Sequence, residues 1–318
     1  MPDARPSAGA VPKWRTLNAA RRVGYTLLPG DAFSYVLHFR PREWPIMVAH
    51  TSIGFIIAIG VRATVQGVHL GSYLLALLAW VGCLNAGTLA LNSAFDHDEG
   101  DIGYLDAPPP PPKHLATVSI GLMAIGQLIA LALPIGFAVA YAICFAMSVA
   151  YSVPPVRLKA VAGADWVINI VGVGVLTPYA GWSASGMSLR PDGVWIMIGF
   201  GCLFGSLYPL TQIYQFEEDS TRGDRTLARM LGIGPSLAVS AVAAALAFGS
   251  FARALLLAGP TPTARNALIL AGAGWAFVLG TWLVRHRSMT SDGHKRGMYR
   301  ALAVWALTDV AVVVAFAM

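Results

Sequence analysis

The stretch Asn92-Ser93-Ala94-Phe95-Asp96-His97-Asp98-Glu99-Gly100-Asp101 puts four carboxylates into six residues, in a chain of 318 residues that is only 12% charged. A second acidic group, Glu217-Glu218-Asp219 with Asp224, lies far downstream, and with Asp106 the two groups hold nine of the sixteen acids. Carboxylates this crowded repel one another unless a proton or a cation neutralises them. Mg²⁺ suits such a site, because it takes hard oxygen ligands from one or two carboxylates and fills its other positions with waters or phosphate oxygens. Asn92 and Asp96 are four residues apart, so on a helix they stack on one face, with Asp98 and Asp101 following as the helix ends at Gly100 and Gly103. Between the acidic groups, Tyr151-Ser152-Val153-Pro154-Pro155-Val156-Arg157-Leu158-Lys159 carries two cations behind a double proline. Two acidic clusters with cations around them, Arg222 and Arg225 included, form the layout needed to bind a diphosphate through bridging metal. The metal would screen its charge and stabilise it as a leaving group. A solvated loop would account for one acidic cluster alone, and charge anchoring would account for Arg157 and Lys159, but neither explains Tyr151 or the prolines.

The elements that must position these residues are read from hydropathy. The chain is 56% hydrophobic, too apolar for a soluble domain, whose residues are about a quarter charged. An all-α, polytopic membrane protein is expected. Spans of about 20 apolar residues are needed to cross the hydrocarbon core. Nine candidates occur, at 44–62, 73–95, 115–133, 135–153, 165–184, 193–214, 234–256, 266–284 and 298–317. The third and fourth are divided at Leu133-Pro134-Ile135. The expected architecture is a nine-transmembrane-helix bundle around a central cavity that faces the cytoplasm. Residues 43–318 form this domain, and 1–42 form a cytoplasmic segment that is partly disordered or lies along the membrane surface.

Charge placement sets the orientation. With the N-terminus cytoplasmic, eighteen of the twenty-two Lys and Arg residues fall on inside segments, and only Arg62, Arg190, Arg253 and Arg265 fall outside. Both acidic clusters and the Arg157/Lys159 loop are then cytoplasmic, and the C-terminus is on the opposite side. Residues 1–42 contain no continuous apolar core of the secretory type, so no cleaved signal is expected. Cys83, Cys144 and Cys202 lie in apolar runs without metal-ligand spacing and read as small core residues. Nucleic-acid binding has no support, since the net charge of +6 is explained by positions flanking the spans. Pro108–Pro112 reads as an extended spacer after the first acidic cluster. Asn169 and Asp165 are candidates to line the site, whereas Gln127 and Asp309 read mainly as helix-to-helix hydrogen-bonding residues.

In order and on nine spans, these three pieces resemble the UbiA superfamily of intramembrane prenyltransferases. That family's first motif, N-D-x-x-D-x-x-x-D, is matched by Asn92 and Asp96, with Ser93 at the first Asp and Gly100 at the last. Its Y-S-x-P-P-x-R-L-K loop is matched by Tyr151, Pro154, Pro155, Arg157 and Lys159. Its second motif aligns with Gln212, Gln215, Glu217, Asp219, Gly223, Thr226 and Leu227, so two family aspartates are glutamines here.

The resemblance implies a fold, a reaction and a set of roles. Asp96, Asp219 and Tyr151 are the expected catalytic residues, with Tyr151 near the reacting end of the isoprenoid. Asn92, Arg157, Lys159, Gln212, Gln215 and Arg222 are expected to bind diphosphate, and Asp96, Asp98, Asp101, Glu217 and Asp219 to hold Mg²⁺. The partners implied are an isoprenyl diphosphate donor, a hydrophobic aromatic or lipid-like acceptor, and the bilayer. The implied activity is Mg²⁺-dependent transfer of the isoprenyl group with release of diphosphate. Two alternatives stand beside it: a terpene cyclase of the same superfamily, closing the donor on itself, and a non-catalytic or transport protein.

Overall fold

A computed structural model gives the structure of the protein and describes residues 19–28, 31–96, 108–213 and 226–318. The described residues form helices joined by short turns. Two short helices, α1 (Ala19–Leu27) and α2 (Ala32–His38), come first. The bundle helices follow as α3 (Trp44–Ile59), α4 (Leu70–Asp96), α5 (Leu115–Ala130), α6 (Ile135–Ser152), α7 (Ala164–Ala184), α8 (Pro191–Ile213), α9 (Ile233–Ala258), α10 (Pro262–Arg285) and α11 (Ser291–Phe316).

Every one of the nine apolar segments is helical over most of its length. Seven of the resulting helices are long and apolar enough to cross a membrane. The other two, α3 and α5, have 16 residues each. At 1.5 Å per residue they extend about 24 Å, less than the ~30 Å hydrocarbon core. Local backbone chemistry sets both ends. Gly60 adopts φ 85° and stops α3, a conformation that a residue with a Cβ rarely takes. A turn over residues 131–133 followed by Pro134 stops α5 and starts α6, at the break the sequence marks.

Lipid offers no hydrophobic drive to pack one helix on another, so close backbone contact supplies much of the attraction. Helices α3 and α7 show this most directly. A Cβ on Gly54 would collide with the Pro178 carbonyl, and one on Gly181 would collide with the Thr51 carbonyl. Helices α7 and α8 approach in the same way, since a Cβ on Gly174 would lie 2.8 Å from the Gly201 Cα. Gln127 donates from Nε2 to the Ala138 carbonyl at 3.3 Å, bonding α5 to α6.

Two helices contain wide turns. Residues Leu78–Asn85 of α4 and Ile170–Leu176 of α7 have π-helical hydrogen bonding, which shifts the register of every side chain beyond it and often marks functional sites. Both stretches border one cavity of about 110 Å³ between α4, α6 and α7.

Ahead of the bundle, α2 is fixed to the rest of the chain by its last residues. His38 donates from Nε2 to the Pro109 carbonyl at 3.1 Å, so the extended run Pro108–Pro112 is docked against α2. Burial pulls the His38 imidazole down to about 4, with the Arg40 charge acting in the same direction and the Pro109 carbonyl opposing it. The ring is therefore neutral at pH 7.

Candidate active site

The last turn of α4 presents Asn92 and Asp96, and the connection between α6 and α7 folds back over them. That connection leaves α6 at Ser152, passes through a cis Pro154–Pro155 peptide, and turns at Arg157, whose φ is 32°. The turn brings both cations onto the first motif. Lys159 Nζ donates to Asn92 Oδ1 at 3.1 Å and forms an ion pair with Asp96 Oδ1. Arg157 Nη2 reaches the same Asp96 oxygen at 3.5 Å. Residues 61 and 67 positions apart are thus joined at one point.

The electrostatics of this point are those of a site prepared for exchange. The Asp96 and Lys159 side chains are each 10% exposed, and that of Arg157 is 33% exposed. Two cations thus meet on one carboxylate oxygen. A phosphate arriving here would meet guanidinium and ammonium donors already gathered, and Asn92 and Asp96 would be left as two oxygen donors one turn apart. Those are donors of the hard type that Mg²⁺ prefers. Among the described residues, no group of three or more His, Cys, Asp or Glu side chains converges to hold a metal. The remaining acidic positions assigned from the sequence, Asp98, Asp101, Glu217 and Asp219, lie outside the described residues, as do Gln215 and Arg222.

Tyr151 closes the other flank. Its hydroxyl lies 3.0 Å from that of Tyr208 on α8, and its ring borders the 110 Å³ cavity. The cavity runs from Tyr151 toward Trp80 and is mainly apolar, with Asn85, Asn169 and the hydroxyls of Thr88 and Ser148 at its edge. Those two hydroxyls hydrogen-bond each other at 2.7 Å. Asn169, expected beside the site, does line this cavity. Asp165 does not: it is fully buried, and one carboxylate oxygen accepts from the Gly163 backbone N–H at 2.9 Å.

Gln212 has a different setting from the one its alignment suggested. It is 6% exposed, and both ends of its amide are engaged within the protein. Nε2 donates to the second oxygen of Asp165 at 2.8 Å, and Oε1 accepts from the Ala228 backbone N–H at 3.1 Å. The side chain therefore ties the start of α7 and the end of α8 to the short helix Leu227–Leu231 that follows the second acidic cluster.

One participant was not read from the sequence. Arg40 is 8% exposed, adopts φ 49°, donates from Nη2 to Ser93 Oγ at 3.3 Å, and pairs with Glu43 at 3.5 Å. Ser93 stands where the resemblance expects an aspartate, so a buried cation lies against the first motif beside a neutral hydroxyl. Only the Ser93 substitution hinted at this from the sequence; its partner is 53 residues away.

The fold has known counterparts. A UbiA homolog from Archaeoglobus fulgidus bound to DMAPP and Mg²⁺ superposes with a TM-score of 0.62 at 19% identity, covering 88% of this chain and 99% of that one. The same homolog bound to GPP and Mg²⁺ gives 0.62 at 20% identity over the same shares. A digeranylgeranylglyceryl phosphate synthase gives 0.67 at 15% identity, covering 89% of this chain and 97% of that one. No curated protein sequence matches the chain. The sequence profile of the UbiA prenyltransferase family matches residues 48–303, and with seven helices of membrane-crossing length the molecule is an integral multi-pass membrane protein. The chain belongs to the UbiA prenyltransferase family.

Proposed function

We propose that this protein transfers an isoprenyl group from an isoprenyl diphosphate to a hydrophobic aromatic or lipid-like acceptor within the bundle, using Mg²⁺ and releasing diphosphate. The observation that carries the reading is the convergence of Arg157 and Lys159 on Asn92 and Asp96, one helical turn beyond Thr88, which lines the apolar cavity. The family's members are prenyltransferases. The Archaeoglobus homolog bound to Mg²⁺ with DMAPP or with GPP supports the same cofactor and donor class here.

In this reading Asn92 and Asp96 hold the metal on one side. Asp98, Asp101, Glu217 and Asp219 supply the other acidic ligands, and Gln215 and Arg222 contact the diphosphate. When bound, Mg²⁺ screens the diphosphate charge and stabilises it as a leaving group. Arg157 and Lys159 move from the first motif to the phosphate oxygens, where charge grows as the allylic C–O bond breaks. Gln212 acts at a distance from the phosphates, by fixing the frame of the second cluster. The isoprenyl chain lies along the apolar cavity, and Tyr151 stands beside its reacting end. The cavity keeps water from the cation-like carbon, so that an electron-rich acceptor forms the new bond. All nine apolar helices span the bilayer, α3 and α5 being the two shortest. The site and the N-terminus face the cytoplasm, the C-terminus lies opposite, and residues 1–42 form a segment apart from the 43–318 transferase domain.

The test is to incubate the purified protein and Mg²⁺ with allylic diphosphates of several chain lengths, with and without a lipid-extract acceptor pool. Diphosphate release that depends on the acceptor is expected. Release without acceptor, with a cyclic product, would replace transfer by cyclisation, and no release with any donor would overturn the catalytic reading.

A further inference from the structure

A second cavity, of about 310 Å³, lies between α10 and α11, away from the motifs. Its position along the bundle axis is fixed by a contact: a Cβ on Gly234, at the start of α9, would lie 3.2 Å from His286 Nε2 in the α10–α11 connection. Helix α9 begins just after the short helix that Gln212 holds, so this cavity is at the same end of the bundle as the candidate active site. Helices α10 and α11 are both of membrane-crossing length, so the turn between them sits at a membrane boundary.

The cavity has two kinds of wall. Val278, Trp282 and Met289 supply apolar surface, and Arg285, Arg296 and Arg300 supply charge. Trp282 is held firmly. Its Nε1 donates to His294 Nδ1 at 2.9 Å, and the absence of a side chain at Gly297 lets α11 lie against the indole, where a Cβ would come within 2.8 Å. Among the described residues none of the three arginines forms an ion pair, and Asp292, one turn before Arg296, is not paired with it.

Guanidinium groups remain charged at any physiological pH and present planar donors suited to phosphate oxygens. Charge anchoring at a membrane boundary explains arginines in this turn, but it requires neither a cavity nor an immobilised indole within it. Arginines and buried apolar surface in one cavity match a ligand that carries a phosphate on an acyl chain. We propose that this cavity holds an anionic phospholipid, with its phosphate bound by Arg285, Arg296 and Arg300 and the upper part of one acyl chain along Val278 and Trp282.

Native mass spectrometry of the full chain in detergent, titrated with phosphatidylglycerol or phosphatidylcholine of identical acyl chains, tests this. One phosphatidylglycerol is expected to be retained more tightly than phosphatidylcholine. Because Arg296 and Arg300 are exposed, the R296Q/R300Q variant should fold, and it should weaken phosphatidylglycerol retention roughly 30-fold. R253Q/R265Q, near the end of α9 and the start of α10 at the opposite end of the bundle, should leave it unchanged. Equal retention of the two lipids, or undiminished phosphatidylglycerol binding by R296Q/R300Q, overturns the proposal. Soluble glycerol phosphate binding as tightly as the lipid would also overturn it, by making the ligand a free phosphate.

Discussion

The end of α4 and the end of α8 carry the two halves of the candidate site, and they are built in opposite ways. At the end of α4, Asn92 and Asp96 face two cations delivered by a loop, and one of these, Arg157, is a third exposed. At the end of α8, Gln212 is buried and its amide is satisfied at both ends by Asp165 and the Ala228 backbone. In the proposed reaction the first half exchanges its internal cations for a ligand, because phosphate and metal offer the same charges the protein now supplies to itself. In the second half, freeing the Gln212 amide would take their partner from the Ala228 backbone N–H and from one oxygen of buried Asp165. Gln212 is thus a fixed anchor at the end of α8.

Asp96→Ala should give the largest effect, since it removes both a metal oxygen and the anchor for Arg157 and Lys159. Turnover is expected to fall by roughly 10²–10³-fold, measured as diphosphate release from an allylic donor. Next comes Gln212→Asp, which restores the residue type the family resemblance expects. It would set a second carboxylate against buried Asp165 and remove the Nε2 donor, costing about 2–4 kcal/mol. A lowered unfolding temperature without tighter Mg²⁺ binding is predicted. A stable variant that binds Mg²⁺ more tightly would erase the contrast between the two halves.

Lys159→Met keeps the stem and removes the charge. A loss of about 1.5–3 kcal/mol for a hydrogen bond to a charged group predicts a KM for the diphosphate donor raised about tenfold to a hundredfold, with the unfolding temperature little changed. An unchanged KM would mean that Lys159 belongs to the frame.

The pH dependence tests how the first half is tethered. Because the His38 pKa is about 4 in the folded protein against an ordinary 6.5, the unfolded chain binds the additional proton first. Stability is full above pH 6.5 and is lost as pH falls toward 4, by roughly 2 kcal/mol between pH 7 and 5. His38→Gln should flatten that slope in thermal unfolding scans.

Much of this arrangement was legible in the sequence because it is local. Apolar length marked the helices, Leu133-Pro134-Ile135 marked a turn, and the i, i+4 spacing of Asn92 and Asp96 placed them on one helical face. The Tyr151–Lys159 stretch carried its own cations and turn residues. The missing parts depend on partners distant in the chain. Nothing near Gln212 announces that Asp165 will face it, and nothing near Ser93 announces Arg40. The π-helical turns in α4 and α7 depend on how neighbouring helices pack, which hydropathy does not record. The shortness of α3 and α5 was hidden because apolar residues continue past the points where Gly60 and the turn before Pro134 end the helices.

The central claim is that Asp96 and its two cations form an exchangeable site for metal and diphosphate. Calorimetric titration of the wild type and Asp96→Ala with a non-reactive thiolo analogue of an allylic diphosphate, with and without Mg²⁺, tests it most directly. Mg²⁺-dependent binding by the wild type and loss of that dependence in Asp96→Ala are expected. Equal affinity and equal Mg²⁺ dependence in the two proteins would contradict it.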